Sequence, residues 1–192
     1  MPIELGALLD ASGAILRGHF VLTSGRHSDV YFEKFRVLER PDVLSALCKK
    51  IADHFRPQNI EVVAGPTTGG IIVAFEVARQ LAVPALYVES EQGQKTLRRG
   101  ANIAEGARVL VVDDVLTTGL SVKEVKALLD GRGANVVGAA VLIDRSESPI
   151  DFGCESYAAY KVTAKSYAPE EVPDWLAQVP IVKPGTRPGQ PG

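Results

Sequence analysis

The chain has 192 residues and a formal net charge of −2, a length that suits one domain with a small appended part. With 46% hydrophobic and 23% charged residues it can build a core, and its composition is not that of a disordered chain. The near-neutral charge excludes a general basic field for non-specific nucleic-acid binding, two cysteines exclude a disulfide framework, and no apolar run approaches transmembrane length.

The opening MPIELGALLDASG lacks the basic-then-apolar pattern of a secretory leader, so a soluble cytoplasmic protein is expected. Leu5, Leu8, Leu9, Ile15 and Leu16 suggest one helix interrupted at Ser12-Gly13. A turn-rich segment follows, with a turn at Ser24-Gly25. Val43, Leu44, Leu47, Ile51 and Ala52 are spaced three and four apart, as on a second helix. The chain then alternates: strand over 61–64, helix over 71–81, strands over 85–88 and 108–112, helix over 122–129, strands over 135–143 and 156–162. Apolar strands alternating with helices predict an α/β fold, a mostly parallel sheet flanked by helices on both faces. Ligands of such sheets bind beyond the carboxyl ends of the strands. The end of the chain, PIVKPGTRPGQPG, reads as a loose Pro/Gly-rich tail.

The strongest motif is VLVVDDVLTTGLS. Asp113 and Asp114 follow four apolar strand residues. Ser121 and Glu124 have the spacing of a capping box, which predicts a helix N-terminus at Ser121. Thr117, Thr118, Gly119 and Leu120 then form a tight loop before that terminus, where free N–H groups and the helix dipole suit a phosphate. The carboxylates suit sugar hydroxyls or a hydrated Mg2+; on their own, two acids ending a strand would equally face water.

A second strand–loop–helix, VVAGPTTGGIIVAF, offers Gly65, Thr67, Thr68, Gly69 and Gly70 as another anion cradle. It is not a P-loop, because Ile71-Ile72 stand where Lys and Ser/Thr are needed, and in isolation it is equally a tight glycine turn. ESEQGQKTLRRG, residues 89–100, carries Lys95, Arg98 and Arg99 and reads either as a mobile basic loop over a polyphosphate or as a solvated hairpin. In HFVLTSGRHSDVYF, Tyr31 and Phe32 offer a flat wall for a planar ring, or core aromatics. His19 and His27 read as structural or surface residues. Arg145 suits a carboxylate ligand or a neighbouring acid. His19, His27, His54, Cys48 and Cys154 show no metal-ligand spacing.

VLVVDDVLTTGLS resembles the phosphoribosyl diphosphate (PRPP) loop of type I phosphoribosyltransferases. HFVLTSGRHSDVYF resembles the N-terminal signature of the orotate phosphoribosyltransferases, and GPTTGGIIVA and Asp144-Arg145 match that family in the same order over residues 5–167. The resemblance implies one phosphoribosyltransferase domain over 1–180, with a hood mainly from 1–40, a core of about 41–165 and the tail at 181–192. It implies transfer of ribose 5-phosphate from PRPP to orotate N1, with Mg2+, giving orotidine 5′-monophosphate and pyrophosphate for UMP synthesis. It also implies a homodimer in which the basic loop reaches the partner's site, and no nucleic-acid or membrane partner.

The roles carried over are these. Asp113 and Asp114 hold the ribose hydroxyls and the metal's water shell, with no direct metal ligand. Val115, Leu116, Thr117, Thr118, Gly119, Leu120 and Ser121 wrap the 5′-phosphate. Thr67, Thr68, Gly69, Arg98 and Arg99 face pyrophosphate, Lys95 serves as the catalytic cation, and Thr117, Arg145, Tyr31 and Phe32 meet orotate. Many members have lysines where this chain has Thr23 and Gly69, and an Arg-Lys pair with a histidine in the basic loop, so Lys95, Arg98 and Arg99 match by location. The alternatives are a phosphoribosyltransferase for another base and a PRPP-binding regulator; Arg145 favours the first reading over uracil, and the lack of a helix-turn-helix or basic stripe disfavours the regulator.

Overall fold

The computed structural model describes residues 5–22, 24–91, 93–97, 101–162 and 165–182. The chain divides into two units, one of 1–39 with 163–192 and one of 40–162.

In the first unit, α1 (Leu5–Ala11) buries Leu9 and stops at Gly13, whose φ of +72° an L side chain rarely adopts. Beyond that stop the period changes. Ile15 and Leu16, expected on a continuing helix, instead open β1 (Ile15–Val21). It pairs antiparallel with β2 (His27–Phe32), from Ile15 opposite Phe32 to Val21 opposite His27. Ser28, Val30 and Phe32 alternate inward along β2, the period of two expected of a half-buried strand. The short α2 (Phe35–Leu38) ends this stretch.

The second unit begins with α3 (Pro41–Phe55), whose Val43, Leu44, Leu47, Cys48, Ile51, Ala52 and Phe55 form one buried stripe. Then come β3 (Val62–Pro66), α4 (Gly69–Leu81), β4 (Ala85–Glu91), β5 (Gln94–Thr96), β6 (Arg108–Leu116), α5 (Leu120–Asp130), β7 (Asn135–Asp144) and β8 (Glu155–Lys161). The sheet order is β5-β4-β3-β6-β7-β8, parallel except where β5 folds back on β4. Alternation divides the strands between two cores. Val109, Val111, Ala139 and Val141 pack with Val122, Val125 and Leu129 of α5. Gly138 turns the other way and leaves room for the Phe55 ring of α3, which a Cβ there would strike. His54 ties α3 to the edge strand β8, with Nε2 2.6 Å from Glu155 Oε1 and its ring stacked on Tyr157 at 4.1 Å.

The chain then returns to the first unit through β9 (Ser166–Tyr167), α6 (Asp174–Ala177) and β10 (Ile181–Val182), making a sheet of order β10-β1-β2-β9. Ile181 and Val182, placed by sequence in the loose tail, pair in parallel with His19 and Phe20. The rest of that tail lies outside the described residues. His19 is buried and its Nδ1 donates to the Val179 carbonyl at 3.0 Å. In the neutral ring this leaves Nε2 to accept from His27 Nδ1 at 2.6 Å. Among the described residues, no helix is long and apolar enough to cross a membrane.

One polar cluster joins α3 to α4. Glu76 accepts from Arg79 Nε and Nη2, both at 2.8 Å, and from Ser45 Oγ and Gln80 Nε2, both at 2.7 Å. The Arg79 guanidinium, then Gln80 and Ser45, hold the Glu76 carboxyl down to about 2, against the opposing effect of burial. A carboxyl lowered in the folded state stabilises above its ordinary pKa and loses that contribution as pH falls. Stability supplied by Glu76 is therefore lost between pH 4.5 and about 2. Denaturation followed across this window should fall more steeply for the natural chain than for Glu76→Gln; parallel curves would remove Glu76 from the acid-sensitive groups.

Candidate active site

The two strands at the centre of the larger sheet lead their chains in opposite directions. From β3 the chain passes through α4 to β4 on one side; from β6 it passes through α5 to β7 on the other. This is a topological switch point, where doubly wound sheets open a crevice at the strands' carboxyl ends. The β3–β6 ladder runs only from Val62–Val109 to Ala64–Val111, whereas β6 continues beside β7 to Leu116 opposite Asp144.

Asp113 and Asp114 lie in that continuation, 9% and 6% exposed. The sequence placed them past the strand's end; β7 extends the strand through them. Each carboxylate accepts from the next backbone N–H: Asp113 Oδ1 from Asp114 N at 2.8 Å, and Asp114 Oδ1 from Val115 N at 2.7 Å. The turn after β3 seats on the same two acids. A Cβ at Gly69 would fall on Asp114 Oδ2, and one at Gly70 would lie 3.2 Å from Asp113 Oδ1 and 2.6 Å from Pro66 Cδ. Only glycine lets this backbone pass so close.

Both strands thus run into a Thr-Thr-Gly turn and a helix. Thr67 and Thr68 are exposed ahead of α4, Thr117 and Thr118 ahead of α5. Gly119 is the N-cap of α5, with φ +75°. The Gly119 N-cap has no side chain to offer; the Ser121–Glu124 capping box expected from sequence does not form, because the helix begins two residues earlier and Glu124 faces a lysine instead. The Leu120 N–H makes a long bond to Thr118 Oγ1 at 3.4 Å, and the N–H groups that follow in the first turn face the loop, the arrangement that holds a phosphate. Arg145 stands just beyond β7, where its N–H donates to the Leu116 carbonyl at 2.8 Å, which ties it to the end of β6. The segment after it carries two residues that no sequence motif marked: Ile150 and Phe152, each close enough to Gly119 to meet a Cβ there at 3.0 and 3.1 Å.

The other candidates belong to other elements. Lys95 is on β5, opposite Ser90 of β4, with Nζ 3.0 Å from Ser90 Oγ and 3.7 Å from Glu124 Oε2. Within the expected loop, β4 and β5 pair antiparallel from Glu89 opposite Thr96 to Glu91 opposite Gln94; Arg98 and Arg99 lie outside the described residues. Tyr31 and Phe32 belong to β2 of the smaller unit. Tyr31 is half-buried with its ring 5.6 Å from that of Phe20, and Phe32 is buried. Among the described residues, no group of three or more His, Cys, Asp or Glu is placed to hold a metal. Two adjacent carboxylates instead suit a hydrated hard cation bound through its waters.

Residues 37–152 match the model of the phosphoribosyl transferase domain. The chain is 49% identical over 184 residues to an orotate phosphoribosyltransferase of Pelotomaculum thermopropionicum, covering 96% of this chain and 97% of that protein. It is 44% identical to one of Chlorobium phaeobacteroides, covering 94% and 93%. The crystal structure of orotate phosphoribosyltransferase from Aeropyrum pernix superposes with a TM-score of 0.72 at 32% identity, over 82% of this chain and 93% of that one.

The α5 cradle rests on one backbone conformation. Gly119→Ala should lower the unfolding free energy by about 1–2 kcal/mol from the left-handed φ alone. Adding Phe152→Ala should not restore it; full recovery in urea denaturation would assign the cost to the side-chain contact instead.

Proposed function

We propose that this chain, which belongs to the orotate phosphoribosyltransferases of the type I phosphoribosyltransferase family, transfers ribose 5-phosphate from PRPP to N1 of orotate, the step that forms orotidine 5′-monophosphate in pyrimidine synthesis. The observation that carries the proposal is the buried Asp113-Asp114 pair, roofed by the Gly65–Gly70 turn and followed within one loop by the open N-terminus of α5. A sugar phosphate needs this combination: acceptors for its hydroxyls and fixed donors for its phosphate.

In the proposed complex the N–H groups and hydroxyls of 115–121 hold the 5′-phosphate, and Asp113 and Asp114 accept from the ribose hydroxyls. The 65–70 turn faces pyrophosphate. Mg2+ would be held by PRPP and by waters on Asp113 and Asp114, and would supply neutralisation of the departing charge. The bond from ribose C1 to pyrophosphate breaks with its electron pair going to oxygen, and the ring gains oxocarbenium character. Orotate N1 gives its lone pair to C1 and its proton to solvent. Fixed donors around the phosphates favour this charge separation without reorganising. Arg145 and Thr117 are the proposed contacts to orotate, Arg145 through the carboxylate. Lys95, Arg98 and Arg99 are the proposed cations toward pyrophosphate.

A homodimer, with the basic hairpin serving the partner's site, is part of the proposal. Ile72 and Phe75, 39% and 64% exposed on α4, support a pairing face. Sedimentation equilibrium reads the state directly, and a monomer at assay concentration would overturn it. The free thiols Cys48 and Cys154 suit the proposed cytoplasmic location.

With PRPP and Mg2+ present, orotate absorbance should fall while uracil and hypoxanthine stay unchanged. Turnover of either of those without turnover of orotate would overturn the base assignment. Arg145→Ala should raise the orotate KM about tenfold or more, as loss of a charge-assisted hydrogen bond predicts, and change the PRPP KM less; equal effects on both would remove Arg145 from the orotate contacts.

A further inference from the structure

Lys95 is the described basic residue of the 89–97 hairpin, and it is not idle. Its side chain is only 12% exposed, its ammonium donates to Ser90 Oγ at 3.0 Å, and the Glu124 carboxylate lies 3.7 Å away. The cross-strand register makes this possible: Ser90 and Lys95 are directly opposite and so share a face of the β4–β5 ribbon. Glu124 comes from α5, four residues past its first. The ammonium thus sits about one helical turn along α5 from the N–H groups of the phosphate cradle.

The pair has the properties of a temporary holding place. At 3.7 Å it is longer than a charge-assisted hydrogen bond, and Glu124 is 40% exposed, so water screens it. A single screened carboxylate competes poorly with a pyrophosphate group, which carries several charges and many acceptor oxygens. Coulomb attraction scales with the product of charges, so an arriving polyphosphate outbids Glu124.

We propose that Glu124 is a parking partner for Lys95: it holds the largely buried ammonium of the β4–β5 ribbon while no polyphosphate is bound, and Lys95 leaves it for the pyrophosphate of PRPP. The inference rests on the reading that PRPP is the ligand, and it assigns Glu124 a positioning role rather than a contact with substrate. The exchange is a side-chain movement from one acceptor to another; no bond is made or broken, and whichever active site of a dimer Lys95 serves, release from Glu124 comes first.

The test is PRPP binding with Mg2+ by titration calorimetry, on the full chain, for the natural protein, Glu124→Gln, Glu124→Asp, Lys95→Ala and Lys95→Ala with Glu124→Gln. Removing the competitor should tighten PRPP binding roughly two- to fivefold, the range of a screened ion pair converted to affinity. Glu124→Asp should stay near the natural value. The gain should vanish in the Lys95→Ala background. A gain that persists without Lys95 reports only the removal of a negative charge near the cradle and overturns the proposal; so does an unchanged or weakened affinity in Glu124→Gln. Melting temperatures of the same variants separate these outcomes from misfolding, and Glu124→Asp supplies a folded comparison if Glu124→Gln is unstable. No PRPP binding by the natural protein would instead sink the functional reading on which the inference stands.

Discussion

The ladder joining β3 to β6 stops at Ala64 and Val111, while β6 keeps its bonds to β7 for several residues more. That one-sided continuation places two consecutive carboxylates inside the protein with one flank of their strand unpaired. Burying adjacent like charges is costly unless each is bonded. Here the chain's own next N–H bonds each acid, and a glycine turn from the neighbouring strand covers both. The turn starts where β3 leaves the ladder, so α4 begins soon after it at Gly69, whereas β6 runs on to Leu116 before α5 begins at Leu120. The two helix N-termini are consequences of where a ladder ends.

The glycines that begin these helices solve different problems. Gly69 is needed because a carboxylate occupies the place of its missing side chain, Gly119 because its φ is positive and the Ile150–Phe152 segment leans on it. The second requirement also links the segment after Arg145 to the loop after β6. With Arg145 N–H bonded to Leu116, it gives the end of β7 a fixed position relative to the loop before α5. The proposed orotate contact and the proposed phosphate loop are thereby held to one spacing.

Much of this was legible in the residues. The buried stripe of α3, the apolar strands and the DD-TTG loop announced themselves because each is a local pattern of period, turn or charge. What was not legible depends on the partner across space. Ile15 and Leu16 continue a helical spacing that Gly13 terminates, and the pairing with Phe32 and Tyr31 decides that they are strand. Ser121 and Glu124 have capping-box spacing, yet Glu124 answers to a lysine almost thirty residues earlier in the chain. Ile181 and Val182 sit in a Pro/Gly-rich stretch and still find an edge to pair with. In each case the local signal was real and a distant contact outweighed it.

The close seating of Gly69 on Asp114 also limits what the turn can carry. Any side chain at position 69 must lift the backbone off the carboxylate beneath it or push that carboxylate aside. A cation cannot be added to the turn at this position along the present backbone path, so positive charge above the strand ends has to be supplied from other elements of the fold.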